Sequence, residues 1–473
     1  MPPRPLPPDF RLTFDPALRR PRREVLIGGA PIRVLRLTGA GADLVDRWTA
    51  GRPVGAGAGA GDLAARLVDA GLAHPRPAAG APSPRPAVVI PVRDDPDGLA
   101  ATLASLRATA PGVEVVVVDD GSVVAVGAGP GPAGPRVLRR PVPGGPAAAR
   151  NTGWRAAGPA EVVVFVDAGC TLPDGWAGAL LDHFADPGVA AAAPRVRSRP
   201  GPGSPAGVVI YEQAHSPLDL GPAPAPVRPG GSVPYVPSAV LAVRATALQA
   251  AGGFDEAFRF GEDVDLVWRL AEAGWRIRYE PSVEASHPVR SSWPRWLRQR
   301  FDYGRSAAPL AARHGRAVAP LTVSPWSVAV WGFAAAGRPV PAVAVAAGTA
   351  AALARRAGAD RETATELFRL AWIGHARAAG PIAGALRRAW LPPGLAAAAA
   401  VGRWGGRRAR MASGTALTAV LLAGGLRDWA ARRPATGPLR WTAWRLADDL
   451  AYQAGVWSGV LRARSAGALL PRW

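Results

Sequence analysis

Residues 113–122 read V-E-V-V-V-V-D-D-G-S. A near-unbroken valine run of this length suits a strand buried on both faces, and it ends abruptly in two carboxylates and a turn glycine. Upstream, V-V-I-P-V (88–92) is a second such run and leads to Asp94 and Asp95. Downstream, V-V-V-F-V (162–166) is a third and ends at Asp167. Between the first two runs, Leu99, Leu103 and Leu106 recur at helical spacing. After a low-complexity turn (123–135), Pro146 is well placed to open a helix carrying Arg150 and Asn151. Strands alternating with helices predict an α/β fold with a mostly parallel sheet covered on both faces. In such sheets ligands bind beyond the carboxyl ends of the strands. Any one strand-end acid serves equally well as a helix cap or turn former. Three, from successive strands, point to a site.

A second cluster lies at 252–287. G-G-F-D-E (252–256) is turn-rich, and E-D-V-D (262–265) opens a helix with Leu266, Val267 and Leu270 on its core face. Acids in a first turn favour the helix dipole by ~0.3–1 kcal/mol each, which is one reading of Glu262, Asp263 and Asp265. The other makes Asp263 a catalytic base, kept ionised by the helix terminus. W-R-I-R-Y (275–279) reads as a short strand, and His287 after it is either structural or a ligand.

The rest of the chain sets limits. Its 473 residues allow two to four domains. No glycine-rich fingerprint follows the first strand, which argues against a dinucleotide dehydrogenase. All 56 basic residues are arginine, so a lysine-dependent phosphate loop is excluded. With Cys170 as the single cysteine, an intrachain disulfide and a cysteine-built zinc site are excluded too. Met1 to Asp9 is proline-rich without an apolar core, so no secretory signal is expected and the cytoplasm is the expected setting.

Residues 74–86 (H-P-R-P-A-A-G-A-P-S-P-R-P) read as a linker. The segment before it (1–73) carries a strand-like run at 25–37 and two helical patterns, with Gly71 as a C-cap. This suggests a winged-helix-like module. It lacks a basic recognition stripe, so a packing or peptide-recognition role is favoured over DNA binding. At the other end, residues 290–473 hold 27 Arg against 7 Asp and Glu, nearly the whole formal net charge of +21. Apolar runs at 317–337, 339–354, 391–402 and 411–426 alternate with arginine clusters, and Trp326, Trp331, Trp372, Trp390, Trp404, Trp429, Trp441 and Trp444 suit an interfacial belt. The expectation is a helical region, 298–473, associated with the inner face of the plasma membrane, either lying on it or spanning it. A soluble Ala-rich helical domain is the plainer alternative. No nucleic-acid motif is present, so nucleic acid is not an expected partner.

The runs V-V-I-P-V-R-D (88–94), V-V-V-D-D-G-S (116–122), A-A-R-N-T-G (148–153), V-F-V-D-A-G-C (164–170), G-G-F-D-E (252–256) and E-D-V-D-L-V-W-R-L (262–270) together resemble the inverting family-two glycosyltransferases of GT-A fold. The resemblance implies a catalytic domain over 87–297 that transfers sugar from a nucleotide donor. It implies that Asp94 and Asp120, beside Asp119, hold the nucleoside, and that Arg150, Asn151 and Glu262 lie near the donor. Asp167 and His287 would be ligands of a divalent metal, Mg²⁺ or Mn²⁺, and Asp263 the base. The second acid of the family's usual D-x-D is missing, because the triplet is Asp167-Ala168-Gly169. Over most of its length the chain also resembles the mycofactocin-system glycosyltransferases of actinobacteria. That likeness implies UDP-glucose as donor, mycofactocin or its precursor peptide as acceptor, and β-linked glucose units as product. R-Q-R-F (298–301) resembles the Q-x-x-R-W element of processive synthases, which would put Gln299 and Arg300 at the acceptor site; an amphipathic docking helix is the equal alternative. A membrane polysaccharide or glycolipid synthase, and a degenerate transferase acting as a scaffold, remain the other readings.

Overall fold

The computed structural model describes residues 4–78, 83–127, 134–356 and 360–472. Parts of the expected linker (79–82) and of the low-complexity turn (128–133) lie outside them. The chain folds as two units, Met1–Ser291 and Ser292–Trp473.

The first unit opens with a small module. Strands β1 (Arg11–Phe14), β2 (Arg19–Arg22), β3 (Val25–Gly28) and β4 (Arg33–Arg36) precede helices α1 (Gly39–Thr49) and α2 (Ala60–Ala70), and β5 (Ala73–Arg76) follows. The strand-like run at 25–37 is thus a hairpin, β3 against β4, turned at Gly29 with φ +80°. Thr38 caps α1 by accepting from the Gly41 N–H, and Gly71 ends α2 in the left-handed conformation, as its sequence position predicts. Phe10, Leu26, Val45, Trp48, Leu67 and Val68 form the module's own core.

The chain then builds the large sheet: β6 (Pro86–Val92), β7 (Glu114–Asp119), β8 (Arg136–Arg139), β9 (Val162–Val166), β10 (Val189–Arg199), β11 (Ala225–Pro226), β12 (Val240–Arg244) and β13 (Arg276–Pro288). The order is β11-β13-β10-β12-β9-β6-β7-β8. Pairings β6–β7, β6–β9, β7–β8 and β10–β13 are parallel, and β12 runs antiparallel to both β9 and β10. So β6, β7, β8, β9, β10 and β13 all point their carboxyl ends to one edge. Among the helices are α3 (Pro96–Thr109), α4 (Pro146–Ala156), α5 (Trp176–Leu181), α6 (Ala206–His215), α7 (Ala245–Ala250) and α8 (Glu262–Glu272). Ile90, Val117, Val164 and Ala192 of the strands pack with Leu99, Leu106, Trp176 and Leu180 in one cluster. Full burial of strand side chains such as Val88, Val89 and Val116 explains why the strands read as continuous apolar runs.

The module is held to this sheet by arginines of β13. Arg276 donates to Asp69 of α2 at 2.8 Å and to Asp186 at 3.0 Å. Arg278 donates to Nδ1 of His74 at 3.3 Å, so the ring proton sits on Nε2 and faces Asp15. Burial and the neighbouring Arg278 charge push the His74 pKa down, consistent with that neutral ring. Residues 74–76, read from sequence as linker, therefore belong to strand β5, with His74 and Pro75 buried and Arg76 exposed.

The second unit is helical among its described residues. Ser292 caps α9 (Trp293–Arg305), six residues ahead of the expected boundary, and α10 (Ala307–His314) follows. α9 packs closely on helix Pro438–Ala463: a Cβ on Gly304 would collide with the Tyr452 carbonyl, and one on Gly455 with that of Phe301. The apolar stretch 317–337 is not one span, because Ser324 starts the helix Pro325–Ala335 and Gly337, at φ +71°, follows its end. Instead Arg407–Arg432, a 26-residue helical stretch containing an 18-residue window with a mean hydropathy of 1.2, is long and apolar enough to cross a membrane. Of the expected tryptophan belt, Trp441 is fully buried, whereas Trp326, Trp372 and Trp404 are exposed.

One buried pair gives a pH signature. Glu280 of β13 lies 3.1 Å from Nε2 of His183. Burial raises the Glu280 pKa, but His183 and Ser282 outweigh it and bring it down to about 2, from 4.5. A depressed folded-state pKa gives stability that is present above pH 4.5 and is lost as pH falls toward 2. Glu280→Gln should therefore be less stable than wild type at pH 7 and lose less stability between pH 5 and 3. Denaturant midpoints across that range check this.

Candidate active site

Order at the sheet edge begins with three acids. Asp94 follows β6 in the left-handed region (φ +53°), a conformation in which its N–H donates to the Ser122 hydroxyl at 3.0 Å and its carboxylate accepts from the Val123 N–H at 2.8 Å. It thereby ties the loop after β6 to the loop after β7 and stays exposed. Asp119 is fully buried. It accepts from the N–H groups of Ser122 and Val126 and from Arg139. Burial alone would raise its pKa; these donors outweigh burial and hold it below the usual range. Asp120 is also buried, and both of its oxygens are occupied, by Arg140 at 2.8 Å, Gly144 N–H at 2.9 Å and Gly145 N–H at 2.7 Å. Asp119 and Asp120 thus shape loops, and Asp94 is the member of the trio that keeps an exposed carboxylate.

The second cluster centres on Arg150 of α4. The residue is 3% exposed. Its Nη1 donates to Glu262 and its Nη2 to Asp167, both at 2.7 Å, and the guanidinium lies 5.4 Å from the Phe254 ring centroid. Burial opposes its charge, but Asp167 and Glu262 outweigh burial and raise its pKa. The adjacent Asn151 uses its amide fully: it donates to Phe254 O and Glu256, and accepts from Phe254 N–H and Trp154. It clamps the 252–256 loop, and Gly253 is required there because a Cβ would lie 2.6 Å from the Asn151 oxygen. Asn151 is therefore a positioning residue for the start of α8.

At that start stand two acids with different partners. Glu262 is paired to Arg150, and burial together with the neighbouring Asp263 pushes its pKa up to about 7. Asp263 instead accepts from the N–H groups of Ser238 at 3.1 Å and Val264 at 2.8 Å. Burial raises its pKa too, against the pull of Arg150. A carboxylate held in place by backbone donors, with its basicity raised, is what proton abstraction needs. His287, near the end of β13, has its pKa lowered by burial, while Asp167 acts in the opposite direction. Its neutral ring is the form that ligates metals. The structure thus brings Arg150, Asp167, Glu262, Asp263 and His287 into one electrostatic group.

Two family models match the chain: Glycosyl transferase family 2 over residues 87–214, and Glycosyl transferase family group 2 over residues 162–357. The pre-mycofactocin glycosyltransferase of Mycobacterium tuberculosis, in two strains, is 40% identical over 463 residues, covering 94% of each chain. The chain belongs to the mycofactocin-system glycosyltransferases. It is a hexosyltransferase of family two, with the GT-A architecture its motifs imply. An N-acetylglucosaminyl-diphospho-decaprenol L-rhamnosyltransferase of the same organism is 46% identical over 61 residues, 13% of this chain and 19% of that one. Among solved structures, a mannosyltransferase from Pyrobaculum calidifontis in complex with GDP-Man and Mn²⁺ aligns at TM-score 0.45 and 18% identity, over 80% of this chain and 88% of that one.

In this glycosyltransferase the missing acid has a structural cause. Gly169 sits at φ +90°, and a Cβ there would lie 3.0 Å from the Pro288 ring. Its N–H donates to Gly98 O and to the Thr102 hydroxyl, each at 3.0 Å. Among the described residues no group of three His, Cys, Asp or Glu could hold a metal ion. What the site does offer is Asp167, with Oδ1 taken by Arg150, and the neutral His287. This donor set fits a metal that arrives on substrate phosphates and takes one or two protein ligands. It does not fit a resident metal held by protein alone.

Gln299 and Arg300 lie on α9 of the helical unit. Gln299 donates to the Tyr303 hydroxyl at 2.9 Å, and buried Arg300 lies 3.2 Å from Asp448 and over the Trp296 ring. This geometry serves the packing of α9 on helix Pro438–Ala463. Sequence reading missed the arginines that complete the first unit's edge, Arg139, Arg140 and Arg199, because an all-arginine chain gives one arginine no distinction from the next.

Gly169→Asp restores the D-x-D letters but places a side chain in a left-handed turn against Pro288. Such strain costs about 1–3 kcal/mol. The variant should be less stable and less active than wild type, with no gain in Mn²⁺ affinity. Thermal melts and metal titration check it.

Proposed function

We propose that the enzyme transfers glucose from UDP-glucose, with inversion, onto mycofactocin or its precursor peptide, building β-linked glucose units. The observation that carries the mechanism is the placement of Asp263: backbone-held, raised in basicity, and beside the Arg150 bridge at the carboxyl edge of the sheet. The 94% coverage of a relative named for pre-mycofactocin supports the acceptor class.

In the reaction the acceptor hydroxyl oxygen attacks the anomeric carbon from the face opposite the diphosphate. Its proton passes to Asp263. The bond from the anomeric carbon to the diphosphate oxygen breaks, and its electron pair stays on that oxygen. One displacement of this kind inverts the configuration. Asp94 offers its exposed carboxylate to the nucleoside, and Asp120 acts through the 140–145 segment that it holds. Arg150 keeps Asp167 and Glu262 in register. A divalent metal held by Asp167 and His287 would supply charge neutralisation at the leaving diphosphate. The small N-terminal module, docked on β13, holds the precursor peptide in this reading.

The test is UDP release and acceptor mass with UDP-glucose and a mycofactocin-type acceptor, with and without Mg²⁺ or Mn²⁺. Hexose increments are expected. UDP-glucose binding without transfer to any such acceptor would overturn the reading in favour of a scaffold. Asp263→Asn should lower turnover by about 10²-fold or more while UDP binding persists; wild-type turnover would remove Asp263 from the mechanism.

We further propose that the helical unit holds the enzyme on the inner face of the plasma membrane. The exposed stretch Arg407–Arg432 and the arginines Arg403, Arg407, Arg408 and Arg410 support this. Basic residues near an anionic surface contribute about 1 kcal/mol each. Replacing those four by Ser should reduce co-sedimentation with anionic-lipid vesicles by at least about tenfold. Unchanged partition would reject a role for this cluster.

A further inference from the structure

The strand ends of the large sheet supply Asp94, Asp119, Asp167 and His287. The end of β10 has no part in the reaction described above. β10 runs parallel to β13, with Ser198 opposite His287 and Arg199 opposite Pro288. Arg199 therefore arrives at the same edge, beside the metal-ligand candidates.

Its surroundings are unusual for a structural arginine. Nη2 donates to the carbonyl of Gly169 at 2.9 Å, Nη1 reaches Pro200 O only at 3.5 Å, and Nε is buried with no acceptor among the described residues. No carboxylate is ion-paired to it among the described residues at 4 Å or less. Its charge acts on His287 and on Cys170, and the charge of Asp167 reaches the same two groups. Arg199 thus grips the very residue where the second acid of D-x-D would stand. That residue cannot carry a side chain without displacing Pro288.

We propose that Arg199 replaces the missing carboxylate in function: its guanidinium binds the donor's diphosphate directly and neutralises the leaving group. The exchange reverses the usual logic. A second acid strengthens the hold on a cation, whereas here the protein adds a cation of its own beside any metal that arrives on the donor. A guanidinium suits this, since its planar donors match phosphate oxygens and it stays charged. When the anomeric carbon–oxygen bond breaks, the electron pair remains on the diphosphate oxygen and is stabilised by Arg199 N–H donors. No proton leaves the guanidinium; the acceptor's proton goes to Asp263. The assignment rests on the reading of a nucleoside-diphosphate donor.

The experiment compares full-length wild type, Arg199→Met and Arg199→Lys, each shown folded by circular dichroism. Affinities for UDP, uridine and inorganic pyrophosphate are measured by titration calorimetry in Mg²⁺ and in EDTA. Arg199→Met should lose about tenfold or more in affinity for UDP and pyrophosphate, in EDTA as well, with uridine affinity unchanged. Arg199→Lys should recover part of the loss. Equal UDP affinity in Arg199→Met and wild type overturns the assignment, and so does a parallel fall in uridine affinity, which would mean that Arg199 only holds the 167–169 turn. The donor reading fails separately: Arg199-dependent pyrophosphate binding without UDP binding or UDP-glucose turnover leaves Arg199 in place and discards UDP.

Discussion

The candidate site depends on one buried cation. Arg150 joins Asp167, at the end of β9, to Glu262, at the start of α8, across 112 residues of sequence between arginine and glutamate. Without that guanidinium, three acids would face one another in a region of low dielectric, and proton uptake would be favoured beyond the shift to about 7 that Glu262 already shows. With it, Glu262 is matched, Asp167 is fixed in place, and Asp263 is left to its backbone donors. The division of labour among neighbouring acids follows from where a single arginine spends its two ends.

The strands, their order of appearance and the acids at their ends are legible in the sequence because burial on both faces leaves valine runs, and a strand leaving the sheet must turn. The cluster at 262–265 is legible because helix starts tolerate acids and catalytic sites exploit them. The roles within the trio at 94, 119 and 120 are not. Asp119 and Asp120 are adjacent letters, yet Asp119 closes its own loop and pairs with Arg139, whereas Asp120 holds the 140–145 segment through its backbone N–H groups and Arg140. Only the register of β7 with β8 decides that. Asn151 is a similar case: its neighbour Arg150 faces the site while it clamps the 252–256 loop. Non-local pairing of this kind leaves no periodic trace.

The apolar C-terminal runs show the complementary failure. Composition marked 317–337 as the longest uncharged stretch, but serine capping and a left-handed glycine cut it into a short helix. The run at 411–426, weaker by count, lies inside an uninterrupted helical stretch through a π-helical turn at Ala419–Ala423. Continuity of backbone hydrogen bonding, more than the tally of apolar letters, determines what can face lipid.

β13 is shared by two functions. Its first residues, Arg276 and Arg278, anchor the N-terminal module through Asp69 and His74, and its far end carries His287. The module and the catalytic sheet therefore cannot behave as interchangeable cassettes. A chimera that imports another module must import partners for Arg276 and Arg278 as well, or leave Arg276 with Asp186 alone and the buried Arg278 without its histidine partner, in the strand that also bears the candidate ligand His287.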